Sequence, residues 1–253
     1  MHGRAFGYLR YQLGDYLLQR AALPLVLVLI TSGLPLWATL RRQPDAFAGP
    51  RGAMFAHQLF TGTVVLFLPL GAFFGGAGII STDRQQGHFR FFFSKPVSVL
   101  AYYTQAYLLN GIVFVLLFGA ITWGWGSVAA HESVPRAMEA AALTFILVGG
   151  LGFLFGALTR FDLGLLVVVY LVANGSQQLV AQEGAGVAAG EALPAVVHLV
   201  AKVFPPVYGM DQLRNHLYAG EALGVAATWP VVAYGVGAFI LGAVLLRRLP
   251  LAR

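Results

Sequence analysis

The sequence predicts an all-α, polytopic membrane protein with six transmembrane helices, on the basis of its composition and its long apolar runs. Of the 253 residues, 58% are hydrophobic and only 10% are charged, whereas a soluble domain carries about 25% charged residues. A helix needs about 20 apolar residues to cross the hydrocarbon core of a bilayer. Because lipid offers no partners to backbone groups, runs of this length are expected to be helical.

Six apolar runs in the chain reach this length. The predicted spans are Ala21–Leu40, Phe55–Ile80, Ala101–Gly126, Ala137–Leu158, Leu163–Ala181 and Val225–Leu246. Only the turn Thr159-Arg160-Phe161-Asp162 separates the fourth span from the fifth, so we expect these two helices to be antiparallel neighbours. No composition shift or linker divides the chain, and residues 1–253 are interpreted as a single transmembrane domain.

Two segments outside the spans have helical patterns of their own. In residues 2–20 the apolar side chains recur at helical spacing, away from the charged ones, which predicts an amphipathic helix in the membrane interface. The apolar positions are Phe6, Leu9, Leu13, Tyr16 and Leu17. A frayed tail is the alternative. Residues 182–223 join the last two spans and contain the apolar stretch Leu193–Phe204, too short to span, followed by Pro205-Pro206. They predict a helical excursion on the outer side of the membrane.

The distribution of Lys and Arg predicts the orientation. Of the 16 Lys and Arg residues, six fall on the side opposite the termini, and the other ten share the side of both termini. The six are Arg41, Arg42, Arg51, Arg136, Lys202 and Arg214. Because cytoplasmic loops carry the excess of positive charge, we expect both termini and the 81–98 loop to lie in the cytoplasm.

Several functional classes are disfavoured by what the sequence lacks. The chain has no cysteine, which excludes disulfides, thiolate metal sites and cysteine nucleophiles. It has no G-x-x-x-x-G-K-[ST] motif for a P-loop and no H-E-x-x-H motif. The six histidines fall in predicted loops, tails or span ends, and no basic cluster is interleaved with stacking aromatics. We therefore expect no enzyme activity, no metal, no cofactor held by this chain and no nucleic-acid partner.

The polar content of the spans is small. No Asp, Glu, Lys or Arg lies near a span centre, which disfavours an ion-coupled relay. Asn174, Gln177 and Gln178 in the fifth span occupy positions i, i+3 and i+4. They predict either the lining of an outward vestibule or gate, or hydrogen bonds that join helices. The pairs Gly71/Gly75 and Gly152/Gly156 predict close helix packing or dimerisation.

The loop of residues 81–98 is the most elaborate segment outside the bilayer. Ser81, Thr82 or Asp83 suits the N-terminus of a short helix, and Lys95-Pro96 suits its end. Phe89, Phe92 and Phe93 share one face of this helix, whereas Arg84, His88 and Phe91 share another. Such a helix either docks into a groove of a cytoplasmic partner or rests on the bilayer with its arginines near the headgroups.

The same residues resemble the intracellular segment of ABC transporter permeases of the type-2 export class. That segment has an acidic residue, three further residues, a Gly, a short apolar stretch and a small-residue/Pro-Val-Ser motif before the next span. Here the matching residues are Asp83, Gly87, Phe89–Phe93, Ser94-Lys95-Pro96-Val97-Ser98, and then Tyr102 and Tyr103. The chain departs from the pattern where the family often has Glu before the Gly, and at Gln105, where a lysine is frequent.

The resemblance implies an exporter in the cytoplasmic membrane of a bacterium or archaeon. Two permease copies or homologues would assemble with two P-loop ATPase subunits, which bind ATP and Mg. The 81–98 helix would be the coupling helix, with residues 83–94 against the ATPase. The implied coupling residues are Asp83, Arg84, Gly87, His88, Phe89, Arg90, Phe92, Phe93 and Pro96. Two other functions stay open: a membrane scaffold or cofactor-assembly factor, and an ion-coupled secondary transporter.

Overall fold

A computed structural model describes residues 10, 12–14, 16–43, 49–86, 98–126, 133–185, 193–210, 212–213 and 224–248. These residues form helices and connecting turns, and no strand occurs among them. The α-helices are α1 (Ala22–Val28), α2 (Leu34–Arg42), α3 (Pro50–Gly76), α4 (Ser81–Gln86), α5 (Val99–Gly126), α6 (Val134–Thr144), α7 (Gly150–Leu158), α8 (Asp162–Gly184), α9 (Ala195–Val203) and α10 (Val225–Arg248). Wider π-helical turns at Tyr16–Arg20, Leu29–Gly33 and Phe145–Gly149 connect helices into longer runs.

Five helical runs among the described residues are long and apolar enough to cross a membrane. They are Gln12–Arg42, Val99–Trp125, Val134–Leu158, Asp162–Gly184 and Thr228–Arg248. The prediction of a helical protein with helices able to span a membrane is thereby confirmed for the described residues. Helix α3 has 27 residues, about 40 Å of helix, and its final part Phe67–Gly76 is apolar. That α3 is a sixth span stays a prediction.

The run Val134–Leu158 forms the centre of the bundle. In its most apolar part 67% of the residues are buried, and it packs against α3, α5 and α10. Glycines let the backbones approach at these crossings: Gly76 lies against Gly149, and Gly150 lies against Gly235. Gly152 faces the backbone of Gly76, so the small residues of the fourth span pack within the chain.

The outer helices present apolar faces to their surroundings. Only 18% of the apolar part of Gln12–Arg42 and 11% of that of α8 is buried inside the protein. Leu18 and Val168, for example, are exposed. Exposed apolar faces of this length are expected where the surrounding solvent is lipid.

Two predicted boundaries differ in the structure. The second span was expected at Phe55–Ile80, whereas α3 begins at Pro50 and ends at Gly76. It ends there because Ala77 is extended and Gly78 adopts a φ of +76°, which glycine tolerates. The predicted interfacial helix 2–20 is described only in part, and its last residues, Tyr16–Arg20, continue directly into α1. Tyr16 is one of the apolar positions of that predicted helix, and its side chain is buried inside the bundle. This position therefore does not belong to an apolar face that points away from the protein.

Candidate functional site

The end of α3 is held by a cation from the first helical run. The guanidinium of Arg20 donates hydrogen bonds to the carbonyl oxygens of Ala77 and Gly78, each over 3.1 Å. Carbonyls at the C-terminal end of a helix lack intrahelical donors and carry the negative end of the helix dipole. The planar fork of an arginine suits two adjacent carbonyl oxygens. Arg20 therefore fixes the turn that leads from α3 into α4.

A carboxylate holds the same turn from the other side. The backbone N–H of Gly78 donates to Oδ2 of Asp162 over 2.6 Å, and the N–H of Leu163 donates to Oδ1 over 2.8 Å. Asp162 is buried, with 4% of its surface exposed, and is the first residue of α8. A negative charge is favourable at a helix N-terminus. Asp162 therefore ties the start of α8 to the end of α3.

Helix α4, the described beginning of the predicted coupling segment, makes two further bonds to other elements. The buried hydroxyl of Tyr103 in α5 donates to Oδ2 of Asp83 over 3.0 Å. The side-chain amide of Gln85 donates to the carbonyl of Arg160, in the turn before α8, over 2.7 Å. We call Arg20, Gly78, Asp162, Asp83 and Tyr103 the turn network. It connects α4 to the first helical run, to α5 and to α8.

Only the first predicted coupling residues are described. Asp83 and the backbone of Arg84 lie in α4. Gly87, His88, Phe89, Arg90, Phe92, Phe93 and Pro96 lie outside the described residues. The helix begins at Ser81, in the region where the capping residues predicted its start. The orientation of the phenylalanines toward a partner or toward lipid stays open.

Three polar residues near the turn were not singled out from the sequence. Arg20 counted only toward the charge asymmetry, and Asp162 only as part of a short turn. Asn110, buried inside α5, donates its side-chain amide to the carbonyl of Gly75 over 2.9 Å, which satisfies another carbonyl at the end of α3. The sequence did contain a signal for Asn110, because a single polar side chain within an apolar span needs a hydrogen-bond partner in lipid.

At the far end of α8, Gln177 connects α8 to the segment around α9. Its amide nitrogen donates to the carbonyls of Pro205 over 2.7 Å and Ala201 over 3.3 Å. Its oxygen accepts the N–H of Tyr208 over 2.9 Å. Gln177 thus makes the helix-joining hydrogen bonds that were one of its two predicted roles.

Asn174 and Gln178 face a different way from Gln177. The amide of Gln178 donates to Oδ1 of Asn174 over 3.3 Å, which is the one-turn spacing expected from the sequence. Gln178 is exposed, whereas Asn174 is partly buried. The structure therefore divides the predicted trio between a joint to α9 and a pair along α8. A vestibule or gate at these residues stays a prediction.

Ionisable residues are sparse elsewhere. No group of three or more His, Asp or Glu residues suited to a metal ion occurs in the described part of the chain. His198 of α9 lies 3.0 Å from the carboxylate of Glu183 at the end of α8, which adds a contact beside the Gln177 joint.

The search of known protein-family models finds no match to the chain, and the search of curated proteins finds no similar sequence.

Proposed function

We propose that this chain is the membrane-spanning permease subunit of an ATP-driven ABC exporter. The proposal includes six spans, with α3 as the second, and both termini on the cytoplasmic side of a bacterial or archaeal cytoplasmic membrane. Two permease copies or homologues form the path, and a separate P-loop ATPase subunit binds ATP and Mg. The chain has no ATPase site of its own, and residues 83–94 receive the motion of the ATPase.

The observation that carries the proposal is the bonding of α4. A coupling segment must pass a displacement from the ATPase to several spans, and α4 is joined to three of them. Asp83 is bonded to α5 through Tyr103, and Gln85 is bonded to the turn before α8. The turn that precedes α4 is bonded to Arg20 and Asp162. A push on α4 would therefore act on the first run, α5 and α8 together.

The class is tested by purification of the tagged chain from its native membranes. We expect a P-loop ATPase to copurify in stoichiometric amount and the complex to hydrolyse ATP. A chain that purifies without such a subunit, or a complex that transports on an ion gradient without ATP, contradicts the proposal. A Soret band in the purified protein would instead favour the cofactor-assembly alternative.

The coupling role of Asp83 is tested by removing its described hydrogen bond from each side. Since the chain has no cysteine, a single cysteine introduced at exposed Ala185 reports movement without background labelling. In the complex with the ATPase subunit, we expect ATP to change the rate at which this cysteine is alkylated. Tyr103→Phe should reduce that change about fivefold or more, the lower end of typical coupling between sites.

Asp83→Ala gives the complementary measurement, because it removes the acceptor of that hydrogen bond. An effect equal to that of Tyr103→Phe indicates that Asp83 acts through the bond to α5. A larger effect indicates that Asp83 has a coupling contact beyond the bond to Tyr103, and the resemblance implies one with the ATPase. An unchanged nucleotide response in both variants, and in Asp83→Ala combined with Arg90→Ala, would count against this segment as the coupling surface.

A further inference from the structure

Two adjoining cavities open beside α10: a polar one at the end of the bundle remote from the turn network, and an apolar groove that extends from it toward the middle of the bundle. The polar cavity has a volume of about 340 Å³, and its walls include Gln177, Lys202 and Tyr208. The apolar groove has a volume of about 480 Å³, and its walls include Leu151 and Val203. Phe204 and Tyr234 line both cavities, so the two adjoin and we treat them as one space. Cavities of this size are typical of small-molecule sites.

Successive turns of α10 give this space a direction. Pro230 lines the polar cavity, Tyr234 lines both cavities, and Gly237 and Leu241 line the groove. The rise per residue places Leu241 about 16 Å from Pro230 along the helix axis. Both cavities are lined mainly by apolar surface, and the polar side chains Gln177, Lys202 and Tyr208 lie at the end near the start of α10. An amphiphilic molecule fits this arrangement.

The Tyr234 hydroxyl and the Gln177 amide, which line the space, are already paired within the protein, whereas the described residues provide no partner for the cation Lys202. The hydroxyl of Tyr234 donates to the carbonyl of Val203 over 2.9 Å, and the amide of Gln177 is bonded to the segment around α9. Lys202 is exposed and forms no ion pair within the described residues. One turn earlier, His198 pairs with Glu183. The ammonium of Lys202 is thus available to an anion at the polar end.

We propose that this space binds one anionic phospholipid, with an acyl chain in the apolar groove and the phosphate at Lys202. A bilayer supplies this ligand at high concentration, and lysine binds phosphate as a point charge. Basic pockets between transmembrane helices on the cytoplasmic side bind lipid headgroups through such cations, and the same attraction is expected at Lys202. The lipid is a resident ligand of the space between α7, α8, α10 and the segment around α9, and the proposal does not depend on what the protein transports.

Filling the groove provides the first test. A Cβ atom built on Gly237 meets no atom within 4 Å, and Gly237 lines the groove, so Gly237→Leu adds apolar volume at the groove wall with room for its first side-chain atom. Gly175→Leu is the matched control, because it is equally open and lies on α8 outside both cavities. Both changes replace glycine with a better helix former.

The measurement is native mass spectrometry of protein reconstituted with equal amounts of phosphatidylcholine and phosphatidylglycerol and then returned to detergent. We expect wild type and Gly175→Leu to retain one phosphatidylglycerol, and Gly237→Leu to retain about tenfold less, because displacing a few buried methylenes weakens binding by that factor or more. Lys202→Gln should lower the preference for phosphatidylglycerol about fivefold, the effect of one cation near a headgroup, while the groove still holds lipid.

Three results would overturn the proposal. Wild type that retains no lipid excludes a resident ligand. Equal retention by wild type and Gly237→Leu excludes the groove, and equal binding of the two lipids by wild type excludes the anionic headgroup. Thermal unfolding shows whether Gly237→Leu is folded. If it is not, Ala233→Leu, an exposed position on the same groove, replaces it in the same comparison.

Discussion

The two ends of the helical bundle hold short segments against the spans by different chemistry. At one end, the charged side chains of Arg20 and Asp162 bind the backbone of the turn before α4. At the other end, the neutral amide of Gln177 binds the backbone after α9. Residues 162 and 177 both belong to α8, with about 22 Å of helix between them. One helix therefore connects the two ends.

The packing around these two joints also differs. Beside the turn network, Gly76 and Gly149 bring helix backbones together without a gap. Beside Gln177, two cavities separate the segment around α9 from α7 and α10. Hydrogen bonds to charged groups contribute about 1.5–3 kcal/mol, and neutral ones about 0.5–1.5 kcal/mol. The first end is thus suited to transmit a displacement, whereas the second leaves room for a ligand.

The largest expected effect is at Arg20. Arg20→Ala leaves the carbonyl of Ala77 without this donor and the carbonyl of Gly78 with only the N–H of Thr82, and should lower the free energy of unfolding in detergent micelles by about 3 kcal/mol. Arg20→Lys should cost about half of that, because a lysine keeps the charge but not the planar fork. Arg136→Ala, at an exposed position of α6, is the control. Equal losses of unfolding free energy in Arg20→Ala and Arg136→Ala would contradict the stronger bonding by which this end of the bundle differs from the other.

Gln177 should have an intermediate effect. Gln177→Ala removes hydrogen bonds to Pro205 and Tyr208, and we expect a loss of about 2 kcal/mol in the same unfolding measurement. Hydrogen exchange should show faster exchange of the Tyr208 amide, which loses its acceptor. Gln178→Ala, next in sequence but exposed, should cost less than about 0.5 kcal/mol. Similar values for the two glutamines would indicate that the joint to α9 is not held by Gln177.

The smallest expected effect is at Tyr234. Tyr234→Phe removes the hydrogen bond to the carbonyl of Val203 while the ring still lines both cavities, so we expect a loss of about 1 kcal/mol. Lipid retention measured by native mass spectrometry should stay within twofold of wild type, about 0.4 kcal/mol at most. A larger loss of stability in Tyr234→Phe than in Gln177→Ala would indicate that the segment around α9 is held mainly by α10 and not by α8.

The sequence predicted the class of the protein well because its main signal is local. Uncharged runs such as Leu163–Ala181 identify a spanning helix from composition alone, and α8 covers that run. The same local signal could not assign partners to polar residues. Asp162 and Gly78 are 84 positions apart in sequence, and no periodicity within either segment links them.

Gln177 shows the same limit in a predicted residue. Its spacing from Asn174 and Gln178 placed all three on one side of a helix, yet a helix side is wide enough for neighbouring positions to meet different surroundings. Gln177 meets the backbone after α9, whereas Gln178 is exposed. Whether Gln177 lines a polar space or joins two helices depends on where α9 packs. The spacing of residues along α8 carries no information about that position.

By itself, the sequence determined that the protein is helical and has runs long and apolar enough to span a membrane, because length and apolarity decide how a segment meets lipid. Only the tertiary structure decided which polar groups meet and where space remains. It brings Arg20 and Asp162 to one turn and leaves a groove beside Tyr234. The physical reason is that buried hydrogen-bonding groups take their partners from whichever helix lies nearest, and helix neighbours are set by packing across the whole chain.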